Sequence, residues 1–159
     1  MTPDLSHRFE AESVARTLDL VGERWTLLIL REAFFGVRRF GQFTRHLNIP
    51  RPTLSARLRT LVDAGVLDRV LYSRDPERHE YRLTEPGRDL FASIVTLMQW
   101  GDEHLPHPGG PPIVLRHHPC GQIARPVLAC RECGGEITAR NVTPEPGPGF
   151  RRIDGRESH

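Results

Sequence analysis

Apolar residues recur at helical spacing through the first hundred or so positions and lose that rhythm afterwards. From about Phe9 to Leu20, the residues Phe9, Val14 and Leu18, with Val21 just beyond, share one side of a helix. Gly22 interrupts it. GERWTLLILREAFFG then predicts a strongly apolar helix, with Trp25, Leu28, Ile29 and Phe35 on or near one face and Gly36 as its stop. A helix so apolar belongs at the buried centre of a small helical domain. Phe40, Phe43 and Leu47 repeat at i, i+3, i+7 and predict a third helix over Phe40 to Leu47. Asn48 to Arg51 makes a turn, since Asn tolerates turn conformations and Pro50 biases Ile49 away from helix. A fourth helix spans about Pro52 to Ala64. Leu54, Leu58, Leu61 and Val62 form its apolar face, Pro52 suits its first turn, and Gly65 can take the left-handed conformation that ends it.

The period then changes. Val66 to Tyr72 and Glu80 to Leu83 are rich in β-branched and aromatic residues, and SRDPERH between them carries an Asp-Pro turn. This predicts a hairpin with a charged tip. Thr84 can cap a last helix continuing to about His104, with Glu85 and Pro86 suited to its first turn. Helix, turn, helix and hairpin in this order are the pattern of a winged helix-turn-helix. HPGGPP, residues 107 to 112, is a linker by composition, and 113 to 142 alternates short apolar runs with cysteine pairs. The expected fold is mainly α with a small β wing, plus a small β-rich C-terminal ribbon. Its parts are a flexible arm over 1–8, a winged-helix domain over 9–105, a linker over 106–112, the ribbon over 113–142 and a disordered Pro/Gly-rich tail over 143–159.

Composition sharpens this picture only locally. The 159 residues, 38% hydrophobic and 26% charged, are ordinary globular material with a net charge of only +2. No apolar run approaches a membrane span and the first residues lack an apolar signal core, so the expected location is the cytosol, with no membrane partner. All 22 cations are arginine. Between Arg38 and Arg82 ten arginines stand against five acidic residues, the local excess expected of a surface that meets nucleic acid. Arg51, Thr53, Arg57, Arg59 and Thr60 lie off the apolar face of the fourth helix. Such a helix fits the major groove of double-stranded DNA, its N-terminal residues nearest the base edges. Arg51, Thr53 and Arg57 are therefore candidates for base contacts, and Arg59 and Thr60 for flanking or backbone contacts. Arg74 and Arg78 on the wing, with His79 nearby, suit phosphates or the minor groove. Arg38 and Arg39, just before a helix start, suit phosphate.

The run VARTLDLVGERWTLLILREAFFGVRRFGQF, then PRPTLSARLRTLVDAGVLDRV, then YRLTEPGRDL resembles the HxlR-type family of bacterial transcriptional regulators over about residues 12 to 105. The resemblance implies a winged helix-turn-helix homodimer, held by the first and last helices of the domain and acting, most simply as a repressor, on palindromic operator DNA. One departure stands out. The family commonly carries a cysteine just ahead of the block reading SVARTLDLVGERW, where this chain has Glu12. Thiol sensing through that position is excluded, because the thiolate is the reacting species. Either the signal is a small-molecule effector, or this domain senses none. The effector's candidate pocket is the apolar set Trp25, Phe34, Phe35, Phe91, Met98 and Trp100, for which core packing is the competing reading.

The three cysteines all fall between 120 and 133. His117-x-x-Cys120 and Cys130-x-x-Cys133 each space two ligands for one tight turn, with Gly121, Gly134 and Gly135 just behind. Three thiolates and one imidazole predict a closed, structural zinc site, with His118 as the rival fourth ligand. Free or redox-active cysteines are the alternatives. A zinc enzyme is disfavoured, since four protein ligands leave no open position. No phosphate loop, nucleophile elbow or paired-carboxylate motif occurs. A winged-helix interaction module without specific DNA binding is the alternative function, and the arginine strip argues against it.

Overall fold

The computed structural model describes residues 12–148. The expected arm, the start of the first helix at Phe9 and the end of the expected disordered tail lie outside the described residues. Among those described, the elements are α1 (Ser13–Val21), α2 (Arg24–Phe34), α3 (Phe40–Leu47), α4 (Arg51–Asp63), β1 (Leu67–Arg74), β2 (Glu77–Leu83), α5 (Glu85–Asp89) and α6 (Phe91–His104). One compact unit is Leu18–Arg125; the other takes in residues 12–17 and 126–148 of the described chain.

The core of the larger unit is built around α2, as its apolar sequence requires. Glu23 caps it in extended conformation, accepting hydrogen bonds from the amides of Trp25 (3.0 Å) and Thr26 (3.2 Å). Ile29 and Leu30 are completely buried, with Phe43 of α3 and Leu54, Leu58 and Leu61 of α4. Removing each such side chain from water contributes about 1.5–3 kcal/mol. α2 packs on α3, α4, α6 and β2 and so fixes these elements relative to one another. One polar group enters this core. Glu32, buried, receives the Arg31 guanidinium (2.8 Å) and lies 2.8 Å from Nδ1 of His46 on α3. His46 therefore locks α3 onto α2, a role its isolated place in the sequence does not reveal.

Several boundaries differ from expectation. α4 begins one residue early: Pro50 is its cap and Pro52 its second residue. First-turn amides have no intrahelical acceptor, so a proline fits at either place. Gly65 ends the helix at φ +69°, as expected. The wing strands are longer than expected, leaving only Asp75 and Pro76 at the tip. They pair antiparallel from Leu67↔Leu83 to Arg74↔Glu77, with a register shift that leaves Tyr72 unpaired. The last helix is broken at Leu90 rather than continuous. Pro86 and Gly87 weaken α5, and the Leu90 amide reaches the Gly87 carbonyl (3.3 Å), a tightened turn. Gly87 is buried where a Cβ would overlap the Val66 carbonyl oxygen. After residue 112, the expected β-rich ribbon consists of turns with two isolated bridges, Arg116↔Ile123 and Ala129↔Glu136, and no strand among the described residues.

Candidate nucleic-acid interface

The start of α3, the start of α4 and the wing enclose a cleft of about 610 Å³, lined by Arg39, Gln42, Arg45, Arg51, Arg78 and His79 over Phe40 and Tyr72. Four arginines converge there and the lining includes no carboxylate. Two are held by aromatic rings. The Arg39 guanidinium lies 4.5 Å from the Tyr72 ring centroid and that of Arg51 lies 5.3 Å from Phe40. Stacking restrains the guanidinium plane while leaving its N–H edges to donate. The unpaired position of Tyr72 in the wing is what accompanies this contact. Gln42 accepts hydrogen bonds from the amides of Arg39 (3.0 Å) and Arg38 (3.4 Å), closing the start of α3. The Tyr81 amide donates to the Arg38 carbonyl (2.7 Å) and ties the wing to the same loop. On the outer wing, Arg69 lies 3.1 Å from Nδ1 of His79, whose Nε2 is 3.6 Å from Glu77.

The structure thus gathers Arg39, Arg51 and Arg78 of the expected set. Arg38, Arg59 and Arg74 are exposed, Thr53 is half-buried, and the Thr60 hydroxyl donates to the Ala56 carbonyl (3.1 Å). Arg57 is differently engaged. Its Nε lies 3.3 Å from the Glu23 carboxylate, without hydrogen-bond alignment. Arg45, a further lining residue, lies outside the expected set. Its position three residues after Gln42, on the polar side of a helix whose apolar side is Phe40, Phe43 and Leu47, was the signal available.

The apolar set expected as a pocket is dispersed. Trp25, Phe34 and Met98 pack against the core, Phe35 is half-buried, and Phe34 meets Phe91 edge-on at 5.3 Å. Trp100 is exposed and lies 5.1 Å from the His104 ring. Glu12 accepts a hydrogen bond from the Ala15 amide (3.0 Å) at the start of α1.

The cysteine turns are each well formed. Gly121 donates to the His117 carbonyl (2.7 Å) and His117 to that of Gln122 (2.8 Å). Gly134 donates to the Cys130 carbonyl (2.8 Å) and Cys130 to that of Gly135 (2.8 Å). Gly121 and Gly134 have φ +70° and +71°, the left-handed region where a side chain is strained. In the first turn Nδ1 of His117 lies 3.3 Å from Sγ of Cys120. In the second, the Cys133 amide, then that of Glu132, then the Cys133 thiol hydrogen-bond to Cys130 and hold its thiol below the ordinary range. All three cysteines are free thiols. Among the described residues no three His, Cys, Asp or Glu side chains are gathered closely enough to hold a metal ion. No described helix is long and apolar enough to cross a membrane.

Comparison with known proteins agrees with this geometry. Residues 20–108 match the HxlR-like helix-turn-helix family. The chain is 78% identical over 148 residues to the HTH-type transcriptional regulator Rv3095 of Mycobacterium tuberculosis, covering 93% of this chain and 94% of that one. The crystal structure of PA1607, described as a transcription factor, superposes with a TM-score of 0.76 at 35% identity, over 88% of this chain and 98% of that one. PA1374 from Pseudomonas aeruginosa, described likewise, gives 0.60 at 34% identity over 87% and 94%. An arginine-lined cleft on a winged helix, in a chain with these relatives, marks a DNA-binding transcriptional regulator, and the protein belongs to the HxlR-like helix-turn-helix family.

Proposed function

We propose that the protein acts in the cytoplasm as a homodimer on palindromic operator DNA, as a repressor. The carrying observation is the cleft of Arg39, Arg45, Arg51 and Arg78. In this reading the start of α4 enters the major groove with Arg51 and Thr53 at the base edges. Arg39, Arg45 and Arg38 hold the phosphates beside it, and Arg78 and Arg74 follow the backbone along the wing. Arg59 and Thr60 make flanking contacts, and Arg57 reaches a base only by leaving Glu23.

The dimer rests on apolar surface that a monomer leaves wet. α6 exposes Phe91, Leu97 and Trp100, with Leu105 just beyond; α1 exposes Val14 and Leu18. Leu97 and Trp100 are each 56% exposed, more than isolated surface positions explain when they share one helix. A small-molecule effector would act at this interface, near Phe91 and Trp100, by favouring one spacing of the two α4 helices over another. Residues 113 to 142 we read as a zinc-ribbon-like extension with a structural task.

Footprinting of DNA upstream of the protein's own gene tests the first reading. Two protected half-sites related by a two-fold axis, about 34–36 Å apart centre to centre, are expected. A single asymmetric site, bound by a monomer in light scattering, would refute the dimeric arrangement.

A further inference from the structure

Tyr72 is the extra residue of a β-bulge. Leu71 pairs with His79 and Ser73 with Arg78, so consecutive residues of β2 face residues two apart on β1. A bulge leaves one residue outside the ladder and re-aims its side chain. Here the ring meets Arg39, whose guanidinium carbon lies 4.5 Å from the ring centroid. Tyr72 is 38% exposed and does not pack on the core, whereas Phe40, the ring beside Arg51, does. Burial therefore accounts for Phe40 and leaves Tyr72 to be explained by the cation it carries.

The backbone of Arg39 is already fixed. Its amide donates to Oε1 of Gln42 (3.0 Å), and its carbonyl accepts from the amides of Gln42 (2.9 Å) and Phe43 (3.1 Å). The neighbouring Arg38 carbonyl accepts from the Tyr81 amide of β2 (2.7 Å). What remains free to move is the Arg39 side chain, and arginine has among the largest rotamer freedom of any residue. Ordering such a side chain on contact with a partner costs affinity. A ring against the guanidinium does part of that ordering before DNA arrives.

We propose that Tyr72 is a positioning residue of the DNA site: its ring holds the Arg39 guanidinium in the orientation that receives a backbone phosphate. The proposal rests on the DNA-binding reading of the cleft and adds to it a residue that acts without touching DNA. An aromatic ring suits this task better than an acid. A carboxylate in the same place would also hold Arg39, but it would cancel the charge that the phosphate needs. The ring attracts the cation through its quadrupole and leaves both the net charge and the N–H edges available. The rest of the cleft lining keeps to the same rule, since Arg45, Arg51 and Arg78 meet no carboxylate within it. The wing then serves the site twice, through its own arginines and, from the bulge in β1, through an arginine at the start of α3.

The test is a double-mutant cycle in the full chain, read as anisotropy on the footprinted operator between about 50 and about 200 mM salt. Tyr72→Phe keeps the ring and should match the wild type. Tyr72→Leu should bind about two- to fivefold more weakly, the range of an exposed cation–ring contact, at an unchanged salt slope because Arg39 remains a cation. Arg39→Ala should lower the slope by about 0.9, one phosphate contact. In the Arg39→Ala background Tyr72→Leu should cost nothing further. A loss that persists without Arg39 would mean that the substitution only loosens the wing, and would overturn the proposal. Tighter or unchanged binding by Tyr72→Leu would overturn it too, the first by showing that the stack holds Arg39 back from DNA. A loss with Tyr72→Phe would make the hydroxyl the contact and the positioning role wrong. Wild type that binds no duplex at any of these salt concentrations would instead overturn the DNA-binding reading on which the proposal rests.

Discussion

Arg51→Ala separates a cation ready to meet DNA from one already engaged. Arg51 is the first residue of α4, is exposed, and rests on the Phe40 ring in a cleft without a carboxylate. Nothing has to be broken before it donates to a base edge or a phosphate. Its loss should cost about 1–3 kcal/mol of specific binding, roughly 5- to 150-fold in Kd at 25 °C. Arg57 starts from a different state. Its side chain and that of Glu23 are 38% and 37% exposed, so their ion pair is worth only about 0–1 kcal/mol. That amount is nevertheless subtracted from whatever Arg57 gains on DNA, because Glu23 is held in place by capping α2. Arg57→Ala should therefore cost less than Arg51→Ala. Anisotropy titrations on the footprinted operator, from about 50 to about 200 mM salt, measure both. If Arg51 contacts phosphate, its removal lowers the salt slope by about 0.9; if it reads a base, affinity falls mainly for the specific sequence. Unchanged affinity and slope for Arg51→Ala, with a large loss for Arg57→Ala, would refute the assignment of the cleft as the reading surface.

Three further outcomes are expected. Gly87→Ala should destabilise the fold by about 1–3 kcal/mol, because the added methyl meets the Val66 carbonyl, which is backbone and cannot move aside; urea denaturation measures it. Glu32→Ala should cost about 1–2 kcal/mol in the same assay, below the range for fully buried pairs because Arg31 and His46 keep access to water (33% and 48% exposed). Leu97→Glu should leave the fold intact, shift the protein towards monomer in light scattering and weaken operator binding at least about tenfold, since it charges an exposed apolar position of α6.

The elements carried by local signals were readable in the sequence. α3 runs over Phe40–Leu47 as its apolar spacing requires, α4 ends before a left-handed Gly65, and Asp75-Pro76 sits at the wing tip. What escaped depends on contacts between distant segments. Gly87 lies against the Val66 carbonyl, some twenty positions earlier, a contact that no local pattern announces. His46 looked idle because its partner, Glu32, belongs to another helix. Arg45 stands on the polar side of α3, about which apolar spacing says nothing. Of the six aromatic and aliphatic residues expected to line one pocket, Phe34 and Phe91 meet edge-on. Packing sends Trp25 and Met98 towards the core and leaves Trp100 outside. In the cysteine segment the His117-x-x-Cys120 and Cys130-x-x-Cys133 spacing is visible, whereas the hydrogen bonds that close each turn need a backbone.

The short bond from the Tyr81 amide to the Arg38 carbonyl has a mechanical consequence. It joins the wing to the loop that leads into α3, while α2 holds α3 and α4 together. Cations on three elements are thereby set in one stiff frame, like the teeth of a die. A stiff frame adjusts little to a duplex of the wrong shape, so the duplex must yield instead. Selection among binding sites then falls partly on how cheaply the DNA between contacts bends or twists, and base steps that no side chain touches acquire a vote.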